Sequence, residues 1–254
     1  MRSEPHLVAR YADLDGKRVF ISGGATGIGR DLVAAFAGQG ARATFVDLDE
    51  EAGEALAAAT PGASFVRCDV TDDRALEAAI AAAAEGEALD VLVNNAANDA
   101  RRPFETVDAD SWRAAVDVNL RHQFVAIRAA APAMKARRRG SIVNFGSVAP
   151  EMMIADLAVY SACKSAVRGL TRSLARDLGP YRVRVNAILP GAILTERQRA
   201  LWYADQAAID ALVSRQCLKR ELAGGDVAAM ALFLASEASA ACTAQNFIVD
   251  GGMV

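Results

Sequence analysis

The sequence predicts an α/β protein: a single doubly wound domain over residues 1–254, with a roughly seven-stranded parallel sheet flanked by helices. Three observations predict it. Short apolar runs alternate with helical patterns along nearly the whole chain, and each helix must carry the chain back across the sheet, so neighbouring strands run parallel. A glycine-rich turn separates the first apolar run from the first helix. The 254 residues, 53% hydrophobic and 23% charged, supply a core of the size that such sheets use as one unit.

Taken in order, Lys17–Ser22 (KRVFIS) reads as a short buried strand, and a helix runs from Ile28 to about Gly38 with apolar residues at helical spacing. The pattern repeats as strand 43–46, helix 50–59, strand 64–67, helix 72–84 and strand 91–94. A long helix is expected from Asp110 to about Lys135, entered from an acidic turn. Strand 141–145, helix 159–178 and strand 183–188 come next, with Gly179-Pro180 ending the helix. Residues 195–221 loosen into short helical pieces, expected as an excursion covering the substrate at the carboxyl edge of the sheet. A helix over 225–235 and a strand over 246–249 close the chain. The alanine-rich stretches at 55–59 and 78–84 read as helix interiors with small contact faces.

Charge and composition narrow the function. A net charge of −3 offers no basic stripe for nucleic acid or anionic lipid, so a small-molecule partner is expected. Cys68, Cys163, Cys217 and Cys242 lie far apart, and His6 and His122 are the only histidines, so neither a metal site nor a disulfide framework is suggested. Residues 1–15 are mixed and charged, without the apolar centre of a signal peptide, and no run reaches membrane-spanning length; a cytoplasmic location is expected. His6 is expected to be disordered, and His122 to be tied to packing. Arg137-Arg138-Arg139 reads as a solvated helix end, where cations favour the dipole.

The turn Ser22-Gly23-Gly24-Ala25-Thr26-Gly27-Ile28-Gly29 sits between a strand and a helix. Glycines let the backbone approach a pyrophosphate, and free N–H groups at the helix start favour its charge. This is the dinucleotide-binding arrangement of the Rossmann fold, and Gly23, Thr26, Gly27, Ile28 and Gly29 are its expected contacts. About twenty residues on, Asp47 ends the next strand, where a carboxylate accepts from the adenosine ribose hydroxyls and repels a 2′-phosphate. No basic residue stands at Ala25, Thr26 or Leu48, so NAD is the expected cofactor rather than NADP. Two alternatives stay open: Asp47 as a cap of the helix beginning near Asp49, and Asp69, a candidate for the adenine with Val70 beside it, as a cap of the segment from Thr71.

Together with motifs further along the chain, these residues resemble the short-chain dehydrogenase/reductase family over nearly the whole sequence. The turn is similar to T-G-x-x-x-G-x-G with Ser22 for Thr, and Asn94-Asn95-Ala96-Ala97 to N-N-A-G with Ala97 for Gly. Asn119, Ser147, Tyr160-Ser161-Ala162-Cys163-Lys164 and Pro190-Gly191 with Thr195 fall in the family's order. Tyr160 and Lys164, at i and i+4 of a predicted helix, share a face, and an ammonium beside a phenol is expected to lower its pKa enough for proton removal from an alcohol. The resemblance implies that Tyr160 is the acid/base, that Lys164 binds the nicotinamide ribose, that Ser147 holds the substrate oxygen, and that Asn119 keeps a water that relays protons. It implies cofactor contacts at Asn95, Pro190, Gly191, Ile193 and Thr195, and a homotetramer with helices 110–135 and 159–178 pairing between subunits. Taken singly, Ser147 or Thr195 could be a cap, Tyr160 a core residue, Lys164 a solvated charge and Asn119 a helix surface residue.

A narrower resemblance, to bacterial aldose 1-dehydrogenases, rests on Asn94–Asp99, Val118–His122, Asn144–Ser147, Gln216–Lys219 and Trp202-Tyr203. It implies oxidation of an anomeric hydroxyl to a lactone. Buried hydroxyls each require a partner, and Asn98, Asp99, Glu151, Gln198 and Trp202, with Ser147 and Tyr160, are the expected substrate contacts. Met152-Met153-Ile154 would suit a less polar alcohol or ketone, such as a 3-oxoacyl or cyclic substrate, and an inactive NAD-binding protein is the reading from another class.

Overall fold

The computed structural model describes residues 9–254; the expectation for His6 lies outside them. Seven strands form one parallel sheet in the order β3-β2-β1-β4-β5-β6-β7: β1 Arg18–Ser22, β2 Arg42–Asp47, β3 Ala63–Arg67, β4 Val91–Asn94, β5 Gly140–Phe145, β6 Val183–Pro190 and β7 Asn246–Val249. The central strands are buried on both faces, which is why they read as unbroken apolar runs. Successive residues still separate by face. Val19, Ile21, Val91, Val93, Val143 and Phe145 join one core, while Phe20, Leu92 and Ile142 join the other.

Helices supply the two outer layers. Over the first face lie α1 (Gly27–Gly38), with Leu32, Val33 and Phe36, and α10 (Gly224–Ala235), with Val227, Ala231 and Leu232. On the second lie α3 (Asp73–Ala84), with Leu76 and Ile80, and α5 (His122–Arg137), with Val125, Ile127 and Met134. Each of these side chains other than Ala231 contributes about 1.5–3 kcal/mol when fully removed from water. Helix starts are set locally: Asp49 accepts from Ala52 N–H at the head of α2 (Glu50–Ala59), and Asp72 from Arg74 and Ala75 N–H at the head of α3.

The expected single helix over 110–135 is interrupted. α4 (Ala109–Val116), capped by Asp108, passes through a π turn at Asp117–Arg121 before α5 begins. Asn119 gives the physical reason: its side-chain amide donates to Ala115 O at 2.9 Å, competing for a carbonyl in the helical ladder. Beyond β5 come α6 (Ala149–Met152) and the long α7 (Ala158–Leu178). Residues 195–221 form two short helices, α8 (Glu196–Leu201) and α9 (Gln206–Arg215). Among the described residues, no helix is long and apolar enough to cross a membrane.

Candidate active site

The carboxyl ends of β1, β2, β4, β5 and β6 converge on one edge, and the residues singled out in the sequence lie at those ends: Gly23, Asp47, Asn95, Ser147 and Gly191. Gly23 lies at φ +67°, and a Cβ there would stand 2.7 Å from Ala96 Cα. At Gly29 a Cβ would meet Gly23 O at 1.8 Å. The turn therefore keeps its backbone bare, and α1 begins at Thr26 with no side-chain cap on its first N–H groups. Ser22 Oγ accepts from the N–H of both Asn95 and Ala96, and the Asn95 amide donates to Ser22 O and Gly23 O. Asn95 thus fastens the turn to the end of β4.

Asp47 is not the cap of α2, because Asp49 fills that place. Its carboxylate accepts from Ala25 N–H at 3.0 Å, within the glycine turn, and from Leu48 and Asp49 N–H. Asp69 accepts from Thr71 N–H and Oγ, so the local turn reading of that residue is realised; Val70 beside it is buried. Bare glycine backbone, uncapped N–H groups and a terminal carboxylate fit a dinucleotide carrying free ribose hydroxyls.

The second half of the site joins β5 to α7. Lys164 is 1% exposed and donates from Nζ to Phe145 O at 2.8 Å. Its Nζ stands 5.6 Å from the centre of the Tyr160 ring one turn earlier. Ser147 Oγ accepts from the N–H of Ala149, the first residue of α6, and its hydroxyl lies on the Tyr160 side, where it opposes the rise of the phenol pKa. The expected lowering of the Tyr160 pKa is corrected: burial pushes the phenol up to about 12, with the Ser147 bond opposing. Burial brings Lys164 down to about 8. The ammonium is engaged by the Phe145 carbonyl, and loss of water outweighs its attraction for a phenolate.

A buried polar chain sets α7 against the sheet. Asn94 donates to Asn144 and Asn144 to Thr171, at 2.9 and 3.0 Å, with all three side chains inaccessible. Thr171 lies two turns beyond Lys164, so this chain also fixes the lysine's height over β5. Nothing in the sequence pattern marks it except polar residues inside apolar strands. Asn119 is buried rather than on a helix surface, and it clamps Asn98 by accepting from its N–H and donating to its carbonyl. His122 is buried as well, and loss of water with the nearby Lys164 charge lowers it to about 3, so it is neutral.

At the open side the expected substrate residues separate. The Asn98 side-chain oxygen accepts from Ala100 N–H. Glu151 is ion-paired with Arg168 of α7, and Arg101 stacks over Trp202 at 3.8 Å. Gln198 donates to Asp99 at 2.7 Å, and Arg197 pairs with the other oxygen of Asp99 at 2.5 Å. Thr195 caps α8 by accepting from Gln198 N–H, and its methyl lies 3.4 Å from where a Gly27 Cβ would stand. Ile193 is buried, with its carbonyl accepting from Thr195 N–H. Pro190 ends β6, and Gly191 N–H donates to Val249 O. An Arg30–Glu196 pair at 3.0 Å ties α1 to α8, bringing α8 over the glycine turn.

Comparisons with known proteins agree with this geometry. The family described as enoyl-(acyl carrier protein) reductase matches residues 23–254. The probable galactose dehydrogenase GalD of Rhizobium meliloti (strain 1021) is 46% identical over 251 residues, covering 96% of this chain and 98% of that protein. The D-xylose 1-dehydrogenase of Caulobacter vibrioides (strain NA1000 / CB15N) is 42% identical over 248 residues, with 96% and 98% covered. The crystal structure of 3-oxoacyl-[acyl-carrier protein] reductase from Brucella melitensis superposes with a TM-score of 0.89 and 33% identity, covering 100% of this chain and 97% of that one. The glycine turn, the serine facing a tyrosine and the lysine one turn on therefore belong to a protein matched along nearly its whole length by dehydrogenases, and the chain is a member of the short-chain dehydrogenase/reductase family of nicotinamide-dependent oxidoreductases.

Proposed function

We propose that the chain is an NAD-dependent dehydrogenase that oxidises an aldose, such as a pentose, at its anomeric hydroxyl to the lactone. One observation carries the reading: Ser147, Tyr160 and Lys164 meet at the carboxyl edge beside a bare glycine turn with Asp47 at its rim. Relatives that act on galactose and xylose support the sugar. Asp47 supports NAD, since a carboxylate already oriented by Ala25 N–H would repel a 2′-phosphate.

Bound NAD would supply the acceptor for the hydrogen and electron pair that leave the oxidised carbon. Ser147 Oγ holds the substrate oxygen, and Tyr160 Oη receives the hydroxyl proton after passing its own proton on toward Lys164 and the relaying water at Asn119. Lys164, held against Phe145 O, reaches the nicotinamide ribose and supplies a positive charge that partly offsets the cost of burying the phenolate. Asn119, its side chain spent on Asn98 and Ala115, would hold a relaying water at its main-chain oxygen in the π turn, which also accepts a long bond from Gln123 at 3.4 Å. Gly23, Thr26, Gly27, Ile28 and Gly29 take the pyrophosphate; Asp69, Val70 and Asn95 flank the adenosine side, and Pro190, Gly191, Ile193 and Thr195 the nicotinamide. The reading includes one domain over the whole chain with 195–221 as the substrate cover, a cytoplasmic location, and a homotetramer. Trp112 and Phe124, exposed on the helical run 109–137, suit helix pairing between subunits.

A Tyr160→Phe variant tests the chemistry. Turnover should fall by at least about 10³-fold, within the range that acid/base catalysis contributes, while NADH binding, followed by fluorescence, persists. Unchanged turnover refutes the assignment. NADH formation over aldopentoses and aldohexoses tests the substrate, and no turnover of any aldose would overturn it.

A further inference from the structure

A second hollow lies at the edge of the sheet opposite the catalytic groups. This basic cleft, of about 670 Å³, opens where β4, β5 and β6 begin, and Lys17, Arg137, Arg138, Arg139, Arg182 and Arg184 line it. Three carboxylates, Asp13, Asp90 and Glu237, face these six cations, so an excess of three positive charges is gathered there in a chain of net charge −3. Asp90 is shared by Lys17 and Arg137, Glu237 pairs with Arg139, and Asp13 accepts from Glu237 N–H. Arg137 also donates to Leu89 O, so the expected solvated helix end is in part a wall of the cleft. Among the described residues, the other three arginines have no carboxylate within ion-pair distance. Arg138 donates to Pro180 O, Arg184 donates to Leu234 O and Ser236 O at the end of α10, and the exposed Arg182 side chain has no partner. Burial lowers the Arg184 pKa, a cost that a counter-anion would relieve. Arg138 closes α5 and Arg182 closes the turn after α7, at φ +54° and +59°, where the backbone favours glycine.

We propose that this cleft is a binding site for a small, multiply charged anion of the phosphate class, held by Arg138 and Arg182 in the field of Arg184. A guanidinium presents paired N–H donors that match two phosphate oxygens. A hollow lined by an excess of one sign of charge raises the local concentration of the opposite ion. Its concave shape, on a chain that is acidic as a whole, suits a small anion rather than a nucleic acid strand or a lipid surface. The glycine turn that takes the dinucleotide's pyrophosphate is at the carboxyl edge, whereas the cleft is at the amino edge. The two sites therefore fill independently, and the proposal does not rest on the sugar reading.

Calorimetric titration with inorganic pyrophosphate tests it, at constant ionic strength and with NADH present in excess to fill the glycine turn. One pyrophosphate should bind per chain with a Kd at or below about 1 mM, and sulfate should bind about 10-fold more weakly. Arg182→Gly should weaken pyrophosphate about 10-fold or more, while its urea midpoint stays at or above that of wild type, because glycine adopts this φ without strain. Arg182→Lys, which keeps the charge but not the paired donors, should weaken it less than Arg182→Gly does. Arg128→Ala, which removes a cation outside the cleft that pairs with Glu77, should leave it within about twofold. The absence of saturable binding, or equal affinity in wild type and Arg182→Gly, overturns the site. So does binding that disappears when NADH is added, which would place the anion in the glycine turn. Saturable binding of an oligoglutamate peptide with none of pyrophosphate would assign the cleft to an acidic protein segment and overturn the small-anion reading.

Discussion

Lys164→Met removes an ammonium from the interior and leaves a side chain of similar length, and its consequence is a pH-dependent stability difference. Burial lowers the lysine from 10.5 to about 8. The unfolded chain therefore binds more protons than the folded one between those values, and wild-type stability rises with pH across that window. At pH 7 the ammonium is charged in both states and folding must strip its water, at a cost of about 3 kcal/mol for a depression of this size. The bond to Phe145 O returns about 1.5–3 kcal/mol. The variant should therefore lie within about 2 kcal/mol of wild type at pH 7 despite losing a buried partner. By pH 10 the cost has largely gone, and wild type should gain about 2.5 kcal/mol on the variant relative to pH 7. Tyr160, at about 12, titrates above this range, and common groups that do not feel Lys164 cancel in the difference. Urea unfolding at half-unit intervals from pH 7 to 10 measures it. Parallel stability curves, or a gain by the variant as pH rises, would refute the burial argument; the variant should in either case have lost turnover.

Two further substitutions probe the support of the site. Asn144→Ala breaks both links of the chain from Asn94 to Thr171 and removes the acceptor of the buried Asn94 amide and the donor to the buried Thr171 hydroxyl oxygen, so it should destabilise by about 3 kcal/mol; a urea midpoint shift equivalent to less than about 1 kcal/mol would contradict the buried network. Asp47→Ala removes the acceptor for the Ala25, Leu48 and Asp49 N–H groups at the rim of β2, and the ratio of kcat/KM for NAD over NADP should fall about 10- to 100-fold. An unaltered ratio would show that another group sets the cofactor preference.

Much of the fold was legible because it is set by near neighbours. The short apolar strands, the helices between them and the i, i+4 relation of Tyr160 and Lys164 derive from backbone geometry within a few residues, as do the caps, although those fall at Asp49 and Asp72 where the sequence pattern offers Asp47 and a helix start at Asp72 itself. So does the bare turn from Gly23 to Gly29, where the order strand, glycines, helix already implies an anion site. The π turn was not legible, since it arises when Asn119 takes a carbonyl four residues back while clamping Asn98 across the cleft. Nor was the state of the acid/base pair: a spacing puts two side chains on one face, but only their burial decides that the phenol rises and the lysine falls.

By itself, then, the sequence determined the parallel sheet and the bare glycine turn, because local sterics and periodicity carry that information, while Ser147, Tyr160 and Lys164 were singled out by the family resemblance. The tertiary structure decided which polar groups remain free to meet a substrate. Asp99 and Gln198 are 99 residues apart in the chain, as Glu151 and Arg168 are on different helices, and no local pattern specifies which isolated polar side chains will find one another once the loops close over the sheet.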